Sequence, residues 1–171
     1  MAILSRLVLI AVLASLLVGC GYQLRGGDSM LAPDYERLEI RNLDAGDPLY
    51  RALTERLSDA GIVPVPEGGR AAAALIFTRN DLVDRVAIVD ARAQPREYEW
   101  TQTVAFRVEN RAGEVLLPEY HIAAARPYGY DPVEVLGSVG NEQVARQELA
   151  EDVARLVFYR LLARPDSGPS E

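Results

Sequence analysis

Glu97-Tyr98-Glu99-Trp100-Thr101-Gln102-Thr103-Val104-Ala105-Phe106-Arg107-Val108-Glu109 is the stretch whose reading decides the fold. Tyr98, Trp100, Gln102, Val104, Phe106 and Val108 alternate with Glu97, Glu99, Thr101, Thr103, Arg107 and Glu109. A period of two sends the two sets to opposite faces of an extended chain, so the segment predicts a strand with one face buried. Tyr98, Trp100 and Phe106 are assigned mainly to the core on that face.

Working outward, Asn110-Arg111-Ala112-Gly113 predicts a short hairpin loop. Val115 to Ala125 returns as a further strand, and Pro118 marks an edge or a bulge in it. Upstream, Ala91 to Arg96 forms a turn helped by Pro95. Before it, Ala73 to Phe77 and Leu82 to Val89 are apolar strand segments interrupted by Arg79-Asn80-Asp81, compatible with one long bent strand. Tyr35 to Arg41 alternates, with Leu38 and Ile40 on one side, and is a strand too. Ile62 to Pro66 leaves in extended form and Pro66 to Gly69 is a loop.

Two helices complete the pattern. Asp47 is placed to cap orphan N–H groups and Pro48 suits the first helical position. Leu49, Leu53 and Leu57 then make a stripe, and Gly61 supplies a left-handed stop. Asp131-Pro132-Val133-Glu134 has the features of a second helix start, with an apolar stripe through Ala145, Leu149, Val153, Leu156, Val157 and Leu161. Strand, helix, strands in hairpins, helix: two helices on one face of a mostly antiparallel sheet would bury both stripes.

The N-terminus reads differently. Arg6 precedes an apolar run from Leu7 to Val18, the layout of a secretory signal peptide. The run is shorter than the roughly 20 residues a membrane-spanning helix needs. It ends at Leu17-Val18-Gly19-Cys20, which resembles a bacterial lipobox and makes Cys20 the expected acylation site. Stable lipid anchoring takes two or more signals, which a multiply acylated cysteine supplies. Gly21, where Asp would retain a lipoprotein at the inner membrane, points to the outer membrane. The expected organisation is residues 1–19 signal peptide, 20–33 acylated N-terminus and tether, 34–164 one α+β domain, and 165–171 disordered tail.

Composition narrows the functions. The chain is 49% hydrophobic and 25% charged with a net charge of −7, so it is globular and a poor general binder of nucleic acid. Every one of its 18 basic residues is arginine, a side chain suited to bidentate phosphate contacts. Cys20 is the only cysteine and His121 the only histidine, which argues against a zinc site. No serine sits in a Gly-x-Ser-x-Gly frame, and Asp81, Asp84 and Asp90 are spread along a strand. No catalytic site, metal or cofactor is expected beyond the covalent lipid on Cys20.

Cys20-Gly21-Tyr22-Gln23-Leu24-Arg25-Gly26 resembles the opening of the LPS-assembly lipoproteins of the LptE family. Gly46-Asp47-Pro48-Leu49, Arg96-Glu97-Tyr98, Asn110 to Gly113, and Arg126-Pro127-Tyr128-Gly129-Tyr130-Asp131 extend the resemblance, in order, over nearly all of the mature chain. It implies a two-layer sandwich of two helices against a four-stranded mixed sheet. It also implies a partner, the outer-membrane β-barrel LptD, which the lipoprotein would plug and help to assemble. Lipopolysaccharide would be its ligand, with the domain held on the periplasmic side of the outer membrane.

By the same resemblance Arg92 and Arg96, flanking the central hairpin turn, are candidate lipopolysaccharide contacts. At a second position of this kind the chain has Ser138 in place of a common lysine. Arg126, ahead of Tyr128 and Tyr130, is read as structural, bracing its loop against Asp131. The rival reading is a periplasmic, lipid-anchored interaction module of another envelope complex.

Overall fold

The structure, a computed structural model, describes residues 35–131 and 135–163. The signal peptide, Cys20, the tether, the tail, and Pro132 to Glu134 of the expected helix start lie outside these residues, as does the Ser138 side chain. The elements are β1 (Arg37–Arg41), α1 (Pro48–Asp59), β2 (Val63–Val65), β3 (Ala73–Val89), β4 (Pro95–Asn110), β5 (Val115–Gly129) and α2 (Val135–Leu162).

They form an α+β arrangement with one mixed sheet in the order β2-β1-β3-β4-β5. β1 runs parallel to both β2 and β3, and β3, β4 and β5 form an antiparallel meander. The sheet therefore has five strands and not the expected four. The addition is Val63-Pro64-Val65, paired with Arg37, Leu38 and Glu39 of β1. Proline lacks the N–H for a central ladder, so this strand is confined to the edge.

Local chemistry explains the first layer. The Asp47 carboxylate accepts from the Leu49 N–H at 2.8 Å and Pro48 opens α1. Leu49, Leu53 and Leu57 face the sheet and are fully buried. The helix ends when Ile62 N–H donates to Leu57 O and Gly61 N–H to Ser58 O, both at 2.9 Å, with Gly61 at φ +80°. That is a Schellman stop, which glycine adopts without strain.

The core lies between this layer, α2 and one end of the sheet. Leu38 and Ile40 of β1, Leu75 and Phe77 of β3, and Val104, Phe106 and Val108 of β4 meet Leu149, Val153 and Val157 of α2. Each such side chain contributes about 1.5–3 kcal/mol on burial. On the opposite face Ala74 and Ile76 are flanked on β1 by Glu39 and Arg41 and on β4 by Arg107 and Glu109. Arg41 pairs with Glu39 at 2.7 Å and Arg107 with Glu109 at 2.6 Å. Glu39 also accepts from Gly68 N–H at 2.6 Å. The Arg41 contact first, then that backbone donor, holds its carboxyl below the usual range against the cost of burial.

The core stops at a bend. The register of β3 against β4 shifts between Phe77 and Arg79, so the Arg79-Asn80-Asp81 interruption follows a bulge in one continuous strand. β5 carries a second shift between its pairings at Leu117 and Tyr120, around Pro118. At the first bend Gln102, on the core face yet only 4% exposed, donates to Asn80 Oδ1 at 2.8 Å. Asn80 in turn donates to Asp47 Oδ2 at 2.9 Å. Asp47 thus caps α1 with one oxygen and holds β3 with the other. Past this relay the three long strands run on.

Candidate functional site

The continuation is a three-stranded blade. β3 from Leu82 pairs with β4 up to Gln102, and β4 from Glu97 pairs with β5 down to Gly129. Val83, Val86, Ile88 and Val89 are 45–54% exposed, although branched apolar side chains normally seek a core. They are spread over both faces of this end of the sheet, Val83 opposite Thr101 and Val86 opposite Tyr98, and leave apolar area in water on each.

The helix-side face of the blade is tied down. Tyr128 donates its hydroxyl to Asp84 Oδ2 at 2.8 Å, and burial followed by Asp84 pushes that hydroxyl's pKa up. Tyr98 stacks on Tyr128 at 5.7 Å and meets the edge of Tyr130 at 5.4 Å. Arg126 pairs with Asp152 and, at 3.8 Å, with Glu148, so its structural role is exercised on α2. Arg146 lies 5.9 Å from the Trp100 ring. Tyr98 and Trp100 share the face of Phe106, but only Phe106 is fully buried.

The blade ends in the turn Asp90-Ala91-Arg92-Ala93-Gln94. Asp90 N–H donates to Gln94 O and Ala93 N–H to Asp90 O, both at 2.9 Å. One Asp90 oxygen accepts from the N–H groups of Arg92 at 2.8 Å and Gln94 at 3.0 Å. The other accepts from Arg96 Nε at 3.1 Å and Nη2 at 3.0 Å. The two backbone donors, then Arg96, hold the Asp90 carboxyl below its ordinary pKa.

The β4–β5 turn repeats this geometry. Asn110 N–H donates to Glu114 O at 2.9 Å and Gly113 N–H to Asn110 O at 3.0 Å, while Asn110 Oδ1 accepts from Ala112 and Glu114 N–H groups at 2.9 Å. One position differs. Gly113 has φ +83° and its counterpart Ala93 has φ +60°. A left-handed conformation costs a residue with a Cβ about 1–2 kcal/mol. Of these two turns the strain sits in the one at the end of the blade; the other left-handed non-glycine residue, Asn42 at φ +58°, follows β1.

Both arginines singled out in the sequence reach this one turn. Arg96 is engaged with Asp90. Arg92 is exposed, and its guanidinium has no partner among the described residues. The site therefore offers one open guanidinium and one bound one, at the end of the blade that carries exposed Ile88 and Val89. That pairing of charge and apolar surface suits an amphiphilic anion. His121 lies elsewhere, on β5, exposed and 3.5 Å from Glu119. Among the described residues no group of three or more His, Cys, Asp or Glu is placed to hold a metal ion. No described helix is long and apolar enough to cross a membrane.

Sequence reasoning missed Asn80 and Gln102 as a pair, and the exposure of the blade. Gln102 at a core phase was the available signal. Exposure of Val83 to Val89 had none, because a buried and a bare apolar strand read alike.

This α+β fold is found among small bacterial lipoproteins. A minor lipoprotein from Acinetobacter baumannii has it, with a TM-score of 0.62 and 20% identity over 77% of this chain and 92% of that one. Lipoprotein B from Nitrosomonas europaea has it as well, at 0.63 and 20% over 80% and 87%.

The chain belongs to the LptE family, described as lipopolysaccharide-assembly, whose family model matches residues 35–161. Relatives include the LPS-assembly lipoprotein LptE of Yersinia enterocolitica, 28% identical over 94% of this chain and 75% of that protein. The protein of the same name from Pectobacterium atrosepticum is 28% identical over 84% and 77%.

Proposed function

We propose that the chain is a non-enzymatic lipoprotein of lipopolysaccharide export. Acylated at Cys20, it is held on the periplasmic side of the outer membrane, plugs and assists assembly of the LptD β-barrel, and binds lipopolysaccharide on its way to the outer leaflet. Family membership supports the assembly role. The observation that carries the binding role is the blade end, where an open Arg92 follows exposed Ile88 and Val89 by a few residues. A guanidinium grips phosphate and branched side chains accept acyl surface, so an amphiphile bearing both finds both.

The two arginines have different roles in this reading. Arg92 meets the ligand phosphate directly. Arg96 supports the turn through Asp90 and exchanges that carboxylate for phosphate only when ligand arrives. The test is to recover the tagged chain from detergent-solubilised outer membranes and measure what accompanies it. A large β-barrel in roughly equal amount supports the plug reading. A clean preparation without barrel, from cells making lipopolysaccharide, refutes it. Lipopolysaccharide retention by Arg92→Ala then tests the ligand contact, and unchanged retention removes Arg92 from it.

A further inference from the structure

The two edges of the sheet are managed differently. β2 is short and carries Pro64, with Pro66 just beyond it. A strand of this kind blocks further pairing. β5 is 15 residues long and no described strand pairs with its outer side. It is guarded at its ends by Pro118 with its register shift and by Pro127. Between Glu119 and Arg126 it has no proline and no acid or arginine, and from Tyr120 to Gly129 the register against β4 is unbroken.

The phase of the ladder says which groups are free. Tyr130 N–H donates to Arg96 O at 2.9 Å, so even-numbered residues from Tyr120 on aim their backbone groups at β4. His121, Ala123 and Ala125 aim theirs outward, and all three are exposed.

A ledge of α2 runs beside this edge. Asp152, Leu156 and Arg160 stand four residues apart on one flank of the helix. Asp152 pairs with Arg126 of β5, and Arg160 lies 4.6 Å from the Tyr120 ring. Leu156, between them, is 39% exposed, and Tyr159 beside it 57% exposed.

We propose that His121 to Ala125 is a docking edge for an extended segment of a second polypeptide. The segment adds to the sheet as a further strand, bonds to the backbone groups of His121, Ala123 and Ala125, and lays alternate apolar side chains against Leu156 and Tyr159. The open backbone row selects an extended chain, and the ledge selects apolar side chains at every second position on the α2 side. The net charge of −7 disfavours a second copy of this chain as the occupant. The proposal rests on the reading above for the source of the segment, the barrel partner.

Amide hydrogen exchange resolved by residue tests it, on the acylated full chain alone and in complex with its barrel. In the free chain Ile122 and Ala124 should exchange slowly, and His121, Ala123 and Ala125 fast. In the complex these three should slow by about tenfold or more, since each gains a hydrogen bond. Ala123→Pro removes one outward N–H and leaves the β4 ladder intact, so it should lower barrel recovery about tenfold. Recovery of barrel with the three odd-numbered amides still fast overturns the edge and leaves the plug reading standing. Failure to recover any barrel overturns both. Slow odd-numbered amides in a dimer of the lipoprotein alone assign the edge to a second copy and overturn the proposal.

Discussion

Phe106 and Val83 belong to the same antiparallel meander, yet Phe106 is fully buried and Val83 is 54% exposed. Two things separate them: Phe106 faces the helices whereas Val83, opposite Thr101, lies on the other face, and the helices do not stand over both halves of the sheet alike. α1 has 12 residues, about 18 Å of helix, whereas β3 has 17, about 56 Å of strand. A helix that short covers the base and leaves the far half of the strands to α2, which touches it mainly through Arg126, Arg146 and their partners. Alternation decides which side chains share a face. The length and placement of the helices decide whether that face is covered.

The largest effect should come from the base. Phe106→Ala should cost about 3–5 kcal/mol of unfolding free energy, since it removes a ring from a closed core. Val83→Ala should cost less than about 0.5 kcal/mol, because little surface there is buried. Urea unfolding of the two variants checks the contrast. Similar losses would mean that the blade and the base share one core after all.

Next comes the boundary. Asn80→Ala breaks the relay between Gln102 and Asp47, leaving the buried Gln102 amide unpartnered and Asp47 with its cap alone. A loss of about 1–3 kcal/mol is expected. Asn80→Ala combined with Gln102→Ala should cost less than the sum of the single losses, since the two share one interaction. Strict additivity would show that the relay carries no coupling between base and blade.

The relay also marks where legibility in the sequence ended. β4 was readable because every second residue from Tyr98 to Val108 turns to one face, which is buried from Gln102 on. α1 was readable because Asp47, Pro48 and Gly61 act on their own neighbours. Val63-Pro64-Val65 was not, because its strand character comes from pairing with β1, more than 20 residues away, and nothing in its own pattern announces it. β5 likewise runs past the expected Ala125 to Gly129 because β4 continues to pair with it. The turn that carries Arg92 and Arg96, the two candidates named by resemblance, was legible from Pro95. The division of labour between them was not, since it depends on Asp90 folding back on Arg96.

The two hairpin turns give a comparison about 1 kcal/mol deep. Gly113→Ala should destabilise by roughly that amount, as its only obstacle is the left-handed backbone; an added Cβ meets nothing within 4 Å. Ala93→Gly should stabilise, by less, because glycine relieves the strain but widens the unfolded ensemble. Thermal midpoints of the pair check the signs, and a drop for Ala93→Gly would locate the strain elsewhere. Acid should separate the turns too. Asp90 has its pKa lowered by folding, so its contribution is present above the unfolded carboxylate value and is lost as pH falls through the folded one. Asn110 accepts the corresponding bonds uncharged. Amide exchange at Arg92 and Gln94 should therefore show greater loss of protection on acidification than at Ala112 and Glu114, after correction for intrinsic rates.

The smallest stability change should accompany the largest functional one. Ile88→Ser and Val89→Ser remove apolar surface that is already half in water, so stability should stay within about 0.5 kcal/mol of the parent. A surface kept apolar at no gain in stability has its use in contact with something else. If that contact is the lipid part of lipopolysaccharide, retention of lipopolysaccharide should fall for both variants while barrel recovery holds. If it is the barrel wall, barrel recovery should fall first, with ligand loss following from it. Unchanged retention and recovery would remove the blade from both roles and leave Arg92 without the apolar half of its site.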